Sequence, residues 1–173
     1  MATEPNEYPL DNNGMARPRI RPYEAETSEF LVLANDEAYE TFLFEGYWLR
    51  IRTRGVQTKG LYEVIEDHFP PGFYMPVHLH KEHDETFYVV DGEMDFVIGD
   101  DTVRMSKGMS VFVPRGVPHR ATSENGAQVV TTVSPPFLED VLRAREEAGD
   151  KIVNDPEKLN ELLEAHDIFF VRE

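Results

Sequence analysis

Between Tyr39 and Val133 the apolar residues come in short runs rich in Val, Ile, Phe, Tyr and Thr, broken at close intervals by Gly, Pro and Asp. Runs of this length and content are strand signals, and the breaks are turn signals. The pattern predicts strands at Tyr47 to Arg54, Leu61 to Phe69, Met75 to His80, Thr86 to Val90, Glu93 to Ile98, Thr102 to Met105, Ser110 to Val113, His119 to Ser123 and Gln128 to Val133. Asp91-Gly92, Gly99-Asp100-Asp101 and Ser106-Lys107-Gly108 read as hairpin turns, because Gly and Asp tolerate the positive φ that tight reversals need. Many short strands joined this way form a barrel or a sandwich, so the expected fold class is all-β.

After Ser134 the apolar period becomes helical. Ser134 is placed to cap a helix, Pro135 suits its first turn, and Phe137, Leu138, Val141 and Leu142 recur at helical spacing before Gly149 ends it. Asp155-Pro156 opens a second helix in the same way, with Leu159, Leu162 and Leu163 as its apolar face, and Ile168 to Val171 reads as a closing strand. Each helix has one apolar stripe, which suits covering a barrel end or edge. Residues 1–29 hold four of the twelve prolines and no sustained period, so they read as an N-terminal arm, extended or partly disordered. The expected division is an arm at 1–29, a barrel at 30–133 and a helical extension at 134–173.

At 173 residues the chain has the length of one domain, and 40% hydrophobic residues supply a single core. The absence of cysteine removes disulfide scaffolds, thiolate nucleophiles, zinc fingers and iron-sulfur clusters, leaving His, carboxylate, hydroxyl and backbone groups to carry chemistry. A net charge of -16, spread along the chain, opposes binding to a phosphate backbone, and nucleic acid is not an expected partner. The first ten residues lack a basic or apolar segment and no stretch approaches a bilayer span, so no membrane partner and a cytoplasmic location are expected.

The chemistry concentrates in His78, His80, Glu85 and His119. Residues two apart in a strand project to the same face, so His78 and His80 form a chelating pair. The loop from Lys81 to Asp84 is long enough to reverse the chain and return Glu85 beside them, and His119 comes from a later hairpin. Three neutral imidazoles and one carboxylate suit a first-row divalent ion such as Fe, Ni, Mn, Co, Cu or Zn over Mg or Ca. His68 ends a strand and is assigned no role, His83 sits in the turn between the ligands and is expected to be solvated, and His166 is expected to complement the end of the second helix.

The four ligands lie within Gly72-x5-His78-x-His80-x4-Glu85-x6-Gly92 and, after fifteen intervening residues, Gly108-x5-Pro114-x-Gly116-x2-His119. These strings resemble the two motifs of the cupin superfamily. The resemblance departs at Ser123, where the second motif usually carries Asn. It implies a single-domain jelly-roll β-barrel, with the N-terminal arm and two C-terminal helices attached, and one divalent transition metal held inside it by His78, His80, Glu85 and His119. Strand alternation counted from His78 places Tyr74 and Pro76 inward, counting from Glu85 places Phe87 and Val89 inward, and either Val111 or Phe112 lines the second motif. Tyr74, Phe87 and Phe112 are the expected pocket residues, for an apolar, aromatic type of ligand.

Pro70-Pro71-Gly72, His80 to Glu85, Phe87-Tyr88-Val89 and the ending from Asp155 to Val171 are similar to small bacterial quercetinase-like cupins. That likeness implies a dioxygenase in which a chelating enolate or flavonol is bound, Glu85 takes its proton, and O2 cleaves a ring or C–C bond. The alternatives are a redox-neutral isomerase, cyclase or lyase acting on a sugar or polyketide, and a cupin that only binds a small ligand. A homodimer is expected from the family and from strand edges that need cover.

Overall fold

The structure, a computed structural model, describes residues 33, 37–44 and 46–171. The arm expected at 1–29 lies outside the described residues. The elements are, in chain order, β1 (Glu40–Phe44), β2 (Tyr47–Thr53), β3 (Glu63–Phe69), β4 (Phe73–Leu79), β5 (Asp84–Ile98), β6 (Asp101–Ser106), β7 (Ser110–Val113), β8 (His119–Ser123), β9 (Ala127–Ser134), α1 (Leu138–Ala148), α2 (Pro156–Ala165) and β10 (Phe169–Phe170). A short 3₁₀ helix at Asp150–Asn154 joins α1 to α2. The expected all-β class with two helices near the C-terminus is observed. The run pattern misses β1, whose short sequence ETFLF buries only Phe42 completely.

The hairpin expected at Asp91-Gly92 is absent. Instead, β5 is one fifteen-residue strand with a register shift between Val89 and Asp91. Gly92 there has φ of 78° and a Cβ on it would lie 2.4 Å from the Gly126 carbonyl oxygen, so only glycine lets β5 bend against β9 without reversing. Before the bend β5 pairs with β9 and β7, and beyond it with β6 and β8. All pairings are antiparallel, and the strand path runs β1-β2-β3-β9-β5-β8-β4-β10. One sheet is thereby folded over on itself, with Val89, Ala127 and Val129 packed in a cluster with Met94, Phe96 and Met105. A second apolar cluster joins Phe42, Ile51 and Ile65 to Phe137, Val141 and Leu142 of the α1 segment.

The start of α1 departs from expectation. Ser134 belongs to β9 and its hydroxyl donates to the Leu61 carbonyl, so it caps nothing. The orphan amides are met by Glu63 from β3: its Oε1 accepts from Phe137 N at 2.9 Å and from Leu138 N, and its Oε2 from Glu139 N at 3.3 Å. A cap contributed from another element leaves no local sequence signature. Glu63 is 1% exposed, and burial raises its carboxyl pKa against the lowering effect of those amides. Glu63→Ala is expected to lower stability by about 2–4 kcal/mol in urea unfolding, through three unsatisfied amides and a cavity, and Glu63→Gln by less because one acceptor oxygen remains. The second helix starts as expected, with Asp155 accepting from Lys158 N and Pro156 in the first turn. The closing strand is shorter than Ile168 to Val171, reduced to two residues paired with β4.

Candidate metal centre

Strand register delivers the four expected ligands to one place. His78 on β4 stands directly opposite His119 on β8, which is also paired with Ile98 of β5, while Glu85 is the second residue of β5 and His80 follows the end of β4. One ligand atom from each of the four lies within 4.8 Å of all the others. Their exposures are 1–6%. Further bonds tie the second motif to the first. Gly116 N donates to the His80 carbonyl at 2.6 Å, from a backbone with φ of 78°, and the Arg115 guanidinium grips Asp84, next to Glu85, with both Arg115–Asp84 side-chain contacts at 2.8–3.1 Å.

The histidine rings are held in the tautomer that metal binding requires. Nδ1 of His78, His80 and His119 faces the carbonyl oxygens of Pro76, Asp167 and Val117 at 2.8, 2.9 and 3.0 Å. A carbonyl only accepts, so each Nδ1 carries the hydrogen, and a neutral ring then presents its Nε2 lone pair inward. The Nε2 atoms of His119 and His80 sit 3.1 and 3.3 Å from the same Glu85 oxygen, Oε2. His80 Nε2 is buried without an aligned hydrogen bond. Lone pairs converging on a carboxylate oxygen in a dry site repel unless a proton or cation stands among them. The donor set and its unsatisfied geometry therefore fit a divalent transition ion.

In the metal-free protein a proton stands where the cation would. Burial alone would raise the Glu85 carboxyl, but a proton shared with His119 and His80, and the positive charge it brings, hold it well below the usual carboxylate range. Burial opposes charging of His80, yet Glu85 raises its pKa above the ordinary value. His78 is pushed down to about 4 by burial, helped by His119, so its ring is neutral at pH 7.

Beside the quartet lies a cavity of about 150 Å3 with mainly apolar walls, among them Leu49, Phe69, Phe73, Met75 and Met94. Phe87 lines it. Tyr74 and Phe112 do not: they are 55% and 59% exposed on the outer surface. For Tyr74 the cause is a register shift in β4 between Met75 and His78, which reverses the alternation and turns Phe73 and Met75 inward in place of Tyr74 and Pro76. For Phe112 it is pairing, because Val111 faces inward opposite Phe87 while Phe112 stands opposite Thr86. Ser123 is also away from the cavity, its hydroxyl bonded to the Glu93 carbonyl.

Several residues of the site escape sequence reasoning. Asp67 and Thr131 line the cavity, each 2% exposed, and the Thr131 hydroxyl bonds the Asp67 carboxyl. Burial pushes the Asp67 carboxyl up to about 7, with the charge of Glu85 adding to the effect and Thr131 opposing it. The signal available was alternation, since Glu63, Ile65 and Asp67 share the inner face of β3. Asp167, at φ of 65°, orients His80 through its carbonyl, while its carboxylate accepts from the amides of Lys81 and Glu82 and contacts His83 Nδ1 at 2.6 Å. His83 is accordingly not solvated, being held by Asp167 and packed on the Phe137 ring at 4.2 Å. His68 stacks on Trp48, and His166 Nδ1 bonds the Leu162 carbonyl at the end of α2.

Comparison with known proteins places this site in a family context. Residues 66–134 match the cupin domain model. An RmlC-like cupin from Shewanella frigidimarina is 24% identical, with 63% of this chain and 93% of that one aligned at a TM-score of 0.52. KdgF from Halomonas sp. is 22% identical, with coverages of 64% and 96% and a TM-score of 0.53. At these identities the likeness is one of fold. No curated protein matches the chain. No helix among the described residues is long and apolar enough to cross a membrane. The two motif segments that deliver His78, His80, Glu85 and His119 both fall inside the matched region, and the chain carries a cupin domain.

Proposed function

We propose that this chain is a metal-dependent enzyme, a dioxygenase that cleaves a small enolisable aromatic or diketone substrate with O2. The observation that carries the reading is the buried quartet, with three carbonyl-locked imidazoles and one ionised carboxylate, opening onto an apolar cavity. When bound, a divalent transition ion would supply Lewis acidity toward adjacent substrate oxygens and a template for O2. The chain's own residues hold the substrate body against Phe69, Phe73 and Met94, exclude water, and take the enol proton at the Glu85 carboxylate. A cavity of about 150 Å3 is the size that takes one benzene ring, which favours single-ring or diketone substrates over a fully enclosed flavonol.

A second reading, a redox-neutral isomerase or lyase, is favoured by Asp67. A carboxyl with pKa near 7 in the same cavity as an ionised Glu85 gives the acid and base that move a proton across an enol. Oxygen consumption by metal-loaded protein with a panel of flavonols and β-diketones separates the two. Stoichiometric O2 uptake is the expected result, and turnover without uptake assigns the redox-neutral reaction. At metal concentrations that keep the variant loaded, Glu85→Gln is expected to lower turnover by about 10²–10⁴-fold while substrate binding largely persists.

A further inference from the structure

The apolar stripe of α1 contains one residue that does not belong on it. Leu138, Val141 and Leu142 line the cavity, and Arg145, three residues on from Leu142, falls on the same helix face and lines the cavity with them. The other arginines near α1 are ion-paired: Arg143 with Glu40 and Glu139, and Arg54 with Glu139. Arg145 differs. Its guanidinium lies 4.0 Å over the Phe44 ring and donates to the Tyr47 hydroxyl at 2.5 Å, and among the described residues no carboxylate pairs with it. Stacking on aromatic faces and a single hydroxyl bond fix the planar group and leave most of its five donors unspent.

We propose that Arg145 is a substrate-binding residue and that the cavity selects molecules carrying a carboxylate in addition to the metal-chelating oxygens. This deepens the proposed function and rests on it. The geometry supplies each part of such a ligand with a counterpart: the His/Glu quartet for the enol oxygens, apolar walls for one ring, and a preset guanidinium for the anion. Neither carboxyl of the cavity opposes it, since Glu85 is engaged by His80 and His119 and Asp67 by Thr131.

The test compares 1-phenylbutane-1,3-dione with its 4-carboxyphenyl counterpart, titrated calorimetrically under nitrogen into the full chain loaded with zinc or nickel. Wild type is expected to bind the carboxylate compound about 10–100-fold more tightly than the neutral one. Arg145→Gln is expected to abolish that preference, the ratio of the two affinities measured within the variant falling to about one. Equal affinity for the two compounds in wild type overturns the inference whatever the variant does, as does a preference that survives Arg145→Gln. Binding of both compounds without preference leaves the proposed function standing and removes only the role of Arg145. Failure of both to bind removes the proposed function and this inference with it.

Discussion

Replacing His119 by alanine is expected to lower affinity for a divalent transition ion by at least about two orders of magnitude and to remove turnover. Loss of a group that merely orients a ligand weakens metal binding by about 10–100-fold, so loss of a ligand exceeds that range. His119 also faces His78 across the β4–β8 pair and touches Glu85 Oε2 at 3.1 Å. Its removal leaves a 6%-exposed carboxylate with one imidazole neighbour fewer, a change that costs about 3–5 kcal/mol when a buried pair is broken outright. The metal-free variant should therefore be less stable as well as poorly metallated. Competition against a chromophoric chelator, with elemental analysis of the purified protein, reads the first effect, and urea unfolding of metal-free protein reads the second. His68→Ala, which changes only a ring stacked on Trp48, should bind metal as wild type does. Unchanged affinity in His119→Ala would show that the quartet is not the metal site.

What was legible in the sequence was whatever local pattern encodes. His78, His80, Glu85 and His119 stand at motif spacing, and the structure brings them together because that spacing sets strand face and hairpin length. The helix that begins at Asp155-Pro156 carries its own cap and was legible for the same reason. Features set by distant partners were not legible. The α1 cap comes from Glu63 on β3, and the orientation of His80 comes from the carbonyl of Asp167. Irregularities in strands misled the reading twice. A register shift in β4 turned Tyr74 outward, and a bend at Gly92 continued β5 where a hairpin was expected. Strict alternation has no means of counting an inserted residue, so each bulge inverts every facing assignment beyond it.

Asp67→Asn is expected to make the protein more stable at pH 8, by about 2–4 kcal/mol, and to make little difference at pH 4. The sign follows from the direction of the shift. An aspartate in the unfolded chain titrates near 3.9, whereas burial puts Asp67 at about 7 in the native state. Between those values the unfolded chain gives up its proton and the native state keeps it, so stability falls as pH rises from about 4 to about 7 and then levels off. A difference of that size corresponds to about 4 kcal/mol at the plateau. Asparagine has nearly the same shape and no proton to lose, so the difference between variant and wild type isolates this one group from all others. Urea unfolding of metal-free protein at half-unit steps from pH 4.5 to 8.5 measures it. A difference that is flat with pH would mean that Asp67 is already ionised in the native state, satisfied by Thr131 alone. A residue this unfavourable to stability is retained where it serves chemistry. If Asp67 handles a substrate proton, the same substitution that stabilises the fold should lower kcat/KM at pH 7 by about 10²-fold or more, and the inflection near pH 7 in the wild-type profile should disappear with it.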